Sequence, residues 1–174
     1  MIRRLHGVAL AIVSVATAFA LTPVSSRAAS YATSAFKWPP WLSIEYPVNP
    51  YDRANRDALL LVHAAMREAV PTTRDLTGTA EGIVNGQRQS VALRLDPTSQ
   101  PGVFAVRRQW PTQGSWMLEI TLAKSTTALV SLDRFGAVSS VSIPMNTGSG
   151  ERFPRTVAAH EIDSALAVLA SRQP

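Results

Sequence analysis

The sequence predicts an all-β fold, an antiparallel β-sandwich of about seven or eight strands with a possible short C-terminal helix. Three observations carry this reading. Strand-length runs recur at short intervals from Ala58 to Ile143. Turn-forming residues separate them at Asn85-Gly86, Asp96-Pro97, Pro101-Gly102, Pro111 to Gly114 and Asp133 to Gly136. In the clearest run, Ser115 to Ala123, apolar and polar residues alternate, so one face is dry and the other wet, as in antiparallel sheets.

The elements follow in chain order. Residues 1–28 read as a secretory signal peptide: Arg3 and Arg4, an uncharged apolar stretch from Gly7 to Leu21, then a small-residue tail. Ser26 and Ala28 fit cleavage after Ala28, with Ala18 and Ala20 as an earlier alternative. The apolar stretch is shorter than the ~20 residues of a bilayer-crossing helix, which favours cleavage over a retained anchor. Residues 29–57 form a lead-in rich in proline and aromatics, extended because proline removes backbone donors and fixes φ. Within it Trp41 to Tyr46 alternates, with Leu42, Ile44 and Tyr46 on one side and Trp41, Ser43 and Glu45 on the other.

The sandwich body is expected over residues 58–145. Ala58 to Met66 fits either a strand or a helix, since Leu59, Val62, His63 and Met66 also have helical spacing. Leu76 to Val84 and Gln87 to Leu95 flank Asn85-Gly86, a strong hairpin signal. Val103 to Trp110 is predicted as a strand with Phe104, Val106, Arg108 and Trp110 on one face. Ser115 to Ala123 turns Trp116, Leu118, Ile120 and Leu122 inward and Met117, Glu119 and Thr121 outward. Thr127 to Leu132 and Ala137 to Ile143 make a further hairpin. Residues 146–174 hold a Gly/Ser loop and a helix over Thr156 to Ser171, with Ile162, Leu166 and Leu169 on one face and Ala165 beside them.

The stretch from Gly102 to Leu122 contains Gly102-Val103-Phe104-Ala105, then Pro111, Gly114, Trp116, Leu118 and Ile120. It resembles the hairpin of small exported immunoglobulin-like domains of the YtkA-like and FixH-like kind, and more loosely the copper-resistance CopC-type domains. The resemblance implies an immunoglobulin-like sandwich in which the tryptophan fills the space between sheets. It argues fold rather than activity, because such sandwiches serve many functions. The CopC-type relatives raise copper as a cofactor.

Composition excludes several functions. The chain has no cysteine, so disulfides, thiol catalysis and Cys-ligated zinc are ruled out. The formal charge is +5, but loss of Arg3, Arg4 and Arg27 with the leader takes the 17 basic residues to 14 against 12 acidic ones. With Arg107-Arg108 as the basic pair and no longer run, nucleic acid is not expected as a partner. Export would leave a periplasmic or extracellular protein, not membrane-spanning after signal cleavage.

Each chemical candidate meets a simpler alternative. Copper in a thiol-free protein would need His and Met ligands, and His63 and Met66 lie three apart. On a strand they face opposite sides; on a helix their face reads as core. Further ligands would be His160, Met117 or Met145, each from another element, so no metal site is expected. No Gly-x-Ser-x-Gly elbow occurs, Gly148-Ser149-Gly150 reads as a loop, and His160 with Asp163 does not orient an imidazole towards a serine. Glu81 and Glu119 read as solvent-facing sheet residues rather than a glycosidase pair. Gly78-x-x-x-Gly82 lacks the lysine and helix of a phosphate loop. Trp38, Trp41 and Tyr46 are the candidate contact surface for an envelope glycan or protein, although rings packed over an open end of the core are the simpler expectation. The predicted function is a non-enzymatic binding or structural domain of the cell envelope, with periplasmic copper handling as the alternative.

Overall fold

A computed structural model describes residues 39–146 and 152–171. Along the chain run β1 (Trp41–Glu45), β2 (Leu60–Ala65), β3 (Leu76–Val84), β4 (Gln87–Ala92), β5 (Leu95–Pro97), β6 (Val103–Val106), β7 (Ser115–Leu122), β8 (Thr126–Leu132), β9 (Val138–Ser142) and α1 (Ala159–Ser171). The strands form two antiparallel sheets, ordered β1-β2-β6-β5 and β4-β3-β7-β8-β9. The first matches A-B-E-D of an immunoglobulin sandwich, and the second matches C′-C-F-G with β9 added outside G.

Alternation assigns the core. Leu42, Leu60, Val62, Phe104 and Val106 from one sheet meet Ala80, Trp116, Leu118, Ile120, Leu122, Ala128 and Val130 from the other. The sheets are also tied by a hydrogen bond, as the Thr126 hydroxyl donates to the Pro40 carbonyl at 2.6 Å. Gly82 of β3 lies directly across from Trp116 of β7. A Cβ on Gly82 would collide with the indole, so glycine leaves the space the ring fills. The indole N–H donates to the Gln113 carbonyl at 2.7 Å. Asn85 and Gly86 have φ of 50° and 76°, the left-handed pair the β3–β4 turn requires.

Four features differ from the sequence reading. Gln87 to Leu95 is not one strand: β4 belongs to one sheet and β5 to the other. Val91, Leu93 and Leu95 all face the shared core, so the alternation continues through the crossing and hides the break. Asp96-Pro97 does not end the run but lies within β5, whose position at the sheet edge tolerates proline. Val103 to Trp110 is a strand only to Val106; Trp110 re-enters the core while Arg108 is exposed. Met117 is not wet: α1 lies over the outer face of the second sheet, and Met117, Ile162 and Leu166 are buried together.

The remaining ambiguities resolve simply. Residues 60–65 are a strand, whose neighbours on both sides supply its backbone partners. The helix starts at Ala159, three residues later than expected. Its first turn is fixed by Glu161, which accepts the Ala158 N–H at 2.9 Å, the reciprocal half of a capping box. Arg155 grips the same carboxylate with two bonds of 2.8 and 2.6 Å.

Candidate functional site

Odd-numbered residues of β1 and β2 point away from the core. Trp41, Ser43 and Glu45 therefore share the outer face of the first sheet with Leu61, His63 and Ala65. Pairing sets Trp41 across from Ala65, Ser43 across from His63 and Glu45 across from Leu61. Since β1 is an edge strand, Trp41 has a neighbouring strand on one side only, and across that strand it meets an alanine. It stays 54% exposed, whereas Trp110 and Trp116 are 4% and 3% exposed.

The same face carries hydrogen-bonding groups. His63 Nε2–H donates to a Glu45 carboxylate oxygen at 2.8 Å, with both side chains about one-third exposed. The acceptor-only carboxylate fixes the imidazole tautomer and leaves Nδ1 as an acceptor while the ring is neutral. Tyr46 follows directly after β1 and is 42% exposed. Tyr46 and Trp41 thus both present much of their ring surface to solvent. Trp38 lies outside the described residues.

The rest of this face is covered. Val48 and Ala58, from the segment after β1, pack on Leu61, Val103 and Ala105. Arg107 holds that segment through two bonds to Asp57 (2.8 and 3.2 Å) and one to the Ala54 carbonyl (3.4 Å), and is itself anchored to β5 by a bond to Asp96 (3.0 Å). The Arg107 hydrogen bond pulls the Asp57 carboxyl below its ordinary range, and Asp57 in turn raises the guanidinium. Arg108 lies 6.0 Å from the Trp110 ring centre and donates to the Phe135 carbonyl. The basic pair thus has structural partners. The open part of the face is the β1–β2 end, with Trp41, Ser43, Glu45 and His63.

The other candidates are dispersed. Met66 packs against the main core, on the side of the sheet opposite to His63. Met117 is buried under α1, Met145 is exposed beyond β9, and His160 is exposed in the first turn of α1. Among the described residues no three His, Asp or Glu side chains are grouped to hold a metal ion. Asp163 is ion-paired with Arg88, and Gly148-Ser149-Gly150 lies outside the described residues.

Glu81 and Glu119 do share the outer face of the second sheet, diagonal neighbours two residues apart in register. Glu81 is nearly buried, held by Arg88 at 3.1 Å and by the Ser90 hydroxyl at 2.6 Å. Burial, and then the neighbouring Glu81 charge, push the Glu119 carboxyl above its usual value. The hollow beside Glu119 is about 110 Å³, lined by Thr77, Gly78, Thr79 and Thr121. That is well below the roughly 300 Å³ at which ligand clefts begin, so it is no cleft for a glycan chain.

Sequence reasoning missed the Glu45–His63 pair. Parity alone puts both residues on outward faces once residues 60–65 are a strand, but the pairing and register that join them are set by the fold. No protein-family model, curated protein or solved structure matches the chain.

Proposed function

We propose that this chain is an exported, non-enzymatic binding domain of the cell envelope, of the immunoglobulin-like kind that the Gly102–Leu122 stretch resembles. It would contact a glycan or protein through the β1–β2 end of its first sheet. The observation that carries the reading is Trp41, a large ring left 54% exposed on β1 beside Ser43, Glu45 and His63. An exposed indole supplies apolar contact area with little entropy to lose, and the neighbouring polar groups supply direction. The leader-like residues 1–28 support export.

Isothermal titration against envelope glycan fragments, and separately against envelope proteins and peptides, tests the proposal. One of the two arms should show saturable binding. Trp41→Ala should weaken it at least about 30-fold, the equivalent of a ~2 kcal/mol anchor. Unchanged binding by that variant, or steady turnover of a ligand, would overturn the reading.

A further inference from the structure

The two sheets expose four edges, β1, β5, β4 and β9. An edge strand offers unpaired backbone groups to another strand unless something blunts it. β1 contains Glu45 and is bracketed by Pro39-Pro40 and Pro47. β5 contains Pro97 and the ion-paired Asp96. β4 carries Arg88, which is ion-paired with Asp163 of α1. β9 is different. Its residues, Val138-Ser139-Ser140-Val141-Ser142, include no charge and no proline, and the last four are exposed. Among the described residues its pairing partner is β8 alone.

We infer that β9 joins β9 of a second copy of this chain, giving a two-fold dimer with one continuous sheet across the seam. The register follows from side-chain parity. Pairing with β8 places Val141 opposite Val130, a core-facing residue, and Ser140 opposite the outward-facing Ser131. An antiparallel pair related by a two-fold axis through Val141 keeps every side chain on its own face. Val141 then meets Val141 of the copy, and Ser140 and Ser142 meet each other on both sides of the axis. Val141 is 43% exposed and would be covered by this contact. β-branched cross-strand pairs are favourable, and an uncharged strand meets no repulsion from itself. Exposed Met145 lies just past this strand. Exposed Val168 lines a groove of about 380 Å³ between α1 and β8–β9, together with Ser131, Ser139, Ser140 and Ser164. The seam therefore runs beside further uncovered apolar surface. A two-fold contact closes on itself and consumes both edges. An extended peptide from another protein is the competing occupant, but it would leave the self-complementary register unused.

Sedimentation equilibrium of the protein made from the full-length reading frame decides between these, run up to about 0.5 mM, where small interfaces associate. The wild type should show twice the monomer mass. Val141→Lys and Val141→Glu should each sediment as monomers with unchanged far-ultraviolet circular dichroism, and their equimolar mixture should recover the dimer. A monomeric wild type would overturn the proposal. So would a dimer that survives either substitution, or a mixture that stays monomeric.

Discussion

At the residue scale, fit in the core is set by Gly82 and Trp116. The indole occupies the place where any Cβ on Gly82 would sit, and it is bounded by both sheets. Gly82→Ala is therefore expected to cost about 1–3 kcal/mol in urea unfolding, the usual cost of overpacking a filled core. Combining it with Trp116→Leu should recover part of that loss, because the two changes act on one space. Glu119 gives a prediction of opposite sign. Its folded value lies above the ordinary 4.5, so its contribution is favourable below that pH and is lost as pH rises through the folded value. Glu119→Gln should raise the urea midpoint at pH 7 and give no gain at pH 4. Some residue-scale detail was legible and some was not. Asn85-Gly86 announced its turn, but the β7–β8 turn is made by Ala123 and Lys124 at φ of 49° and 55°, residue types that carry no such signal.

At the element scale, α1 is the part whose existence was readable and whose place was not. The spacing of Ile162 and Leu166 gave the apolar face, but nothing in the spacing says which surface receives it. The receiver is Met117 with Ile83 and Leu129, residues on the outward parity of their strands. Outward parity was read as wet, because alternation distinguishes two faces without saying what covers the second. The helix start depends on Glu161. Bonds from Arg155, then from the Ala158 N–H, hold its carboxyl at about 2, below its ordinary 4.5. Its contribution is complete above pH 4.5 and is lost as pH falls towards 2. Protection of the α1 amides, taken against their intrinsic exchange rate at each pH, should fall across that interval in the wild type. In Glu161→Gln the first turn should be weakly protected throughout and should show no step of this origin.

At the scale of the whole molecule, the sandwich follows from alternation, because each strand turns its apolar side inward. The strand order does not follow from it. β4 and β5 form one alternating run that crosses between sheets, and β1 and β8 lie far apart in sequence yet meet across the core. The same architecture leaves Trp41, Ser43, Glu45 and His63 together on the open end of one sheet, while the segment after β1 covers the other end. Exposure of Trp41 was legible as a possibility, and its Glu45–His63 neighbours were not, because they come from two strands whose register only the fold sets. The central claim is that this end is the binding face. An NMR titration that follows the four tryptophan indole N–H signals with envelope glycans or proteins tests it most directly. Trp41 should shift in a saturable way, while the buried Trp110 and Trp116 stay fixed. Saturable shifts that leave Trp41 and the His63 ring unmoved would contradict the account.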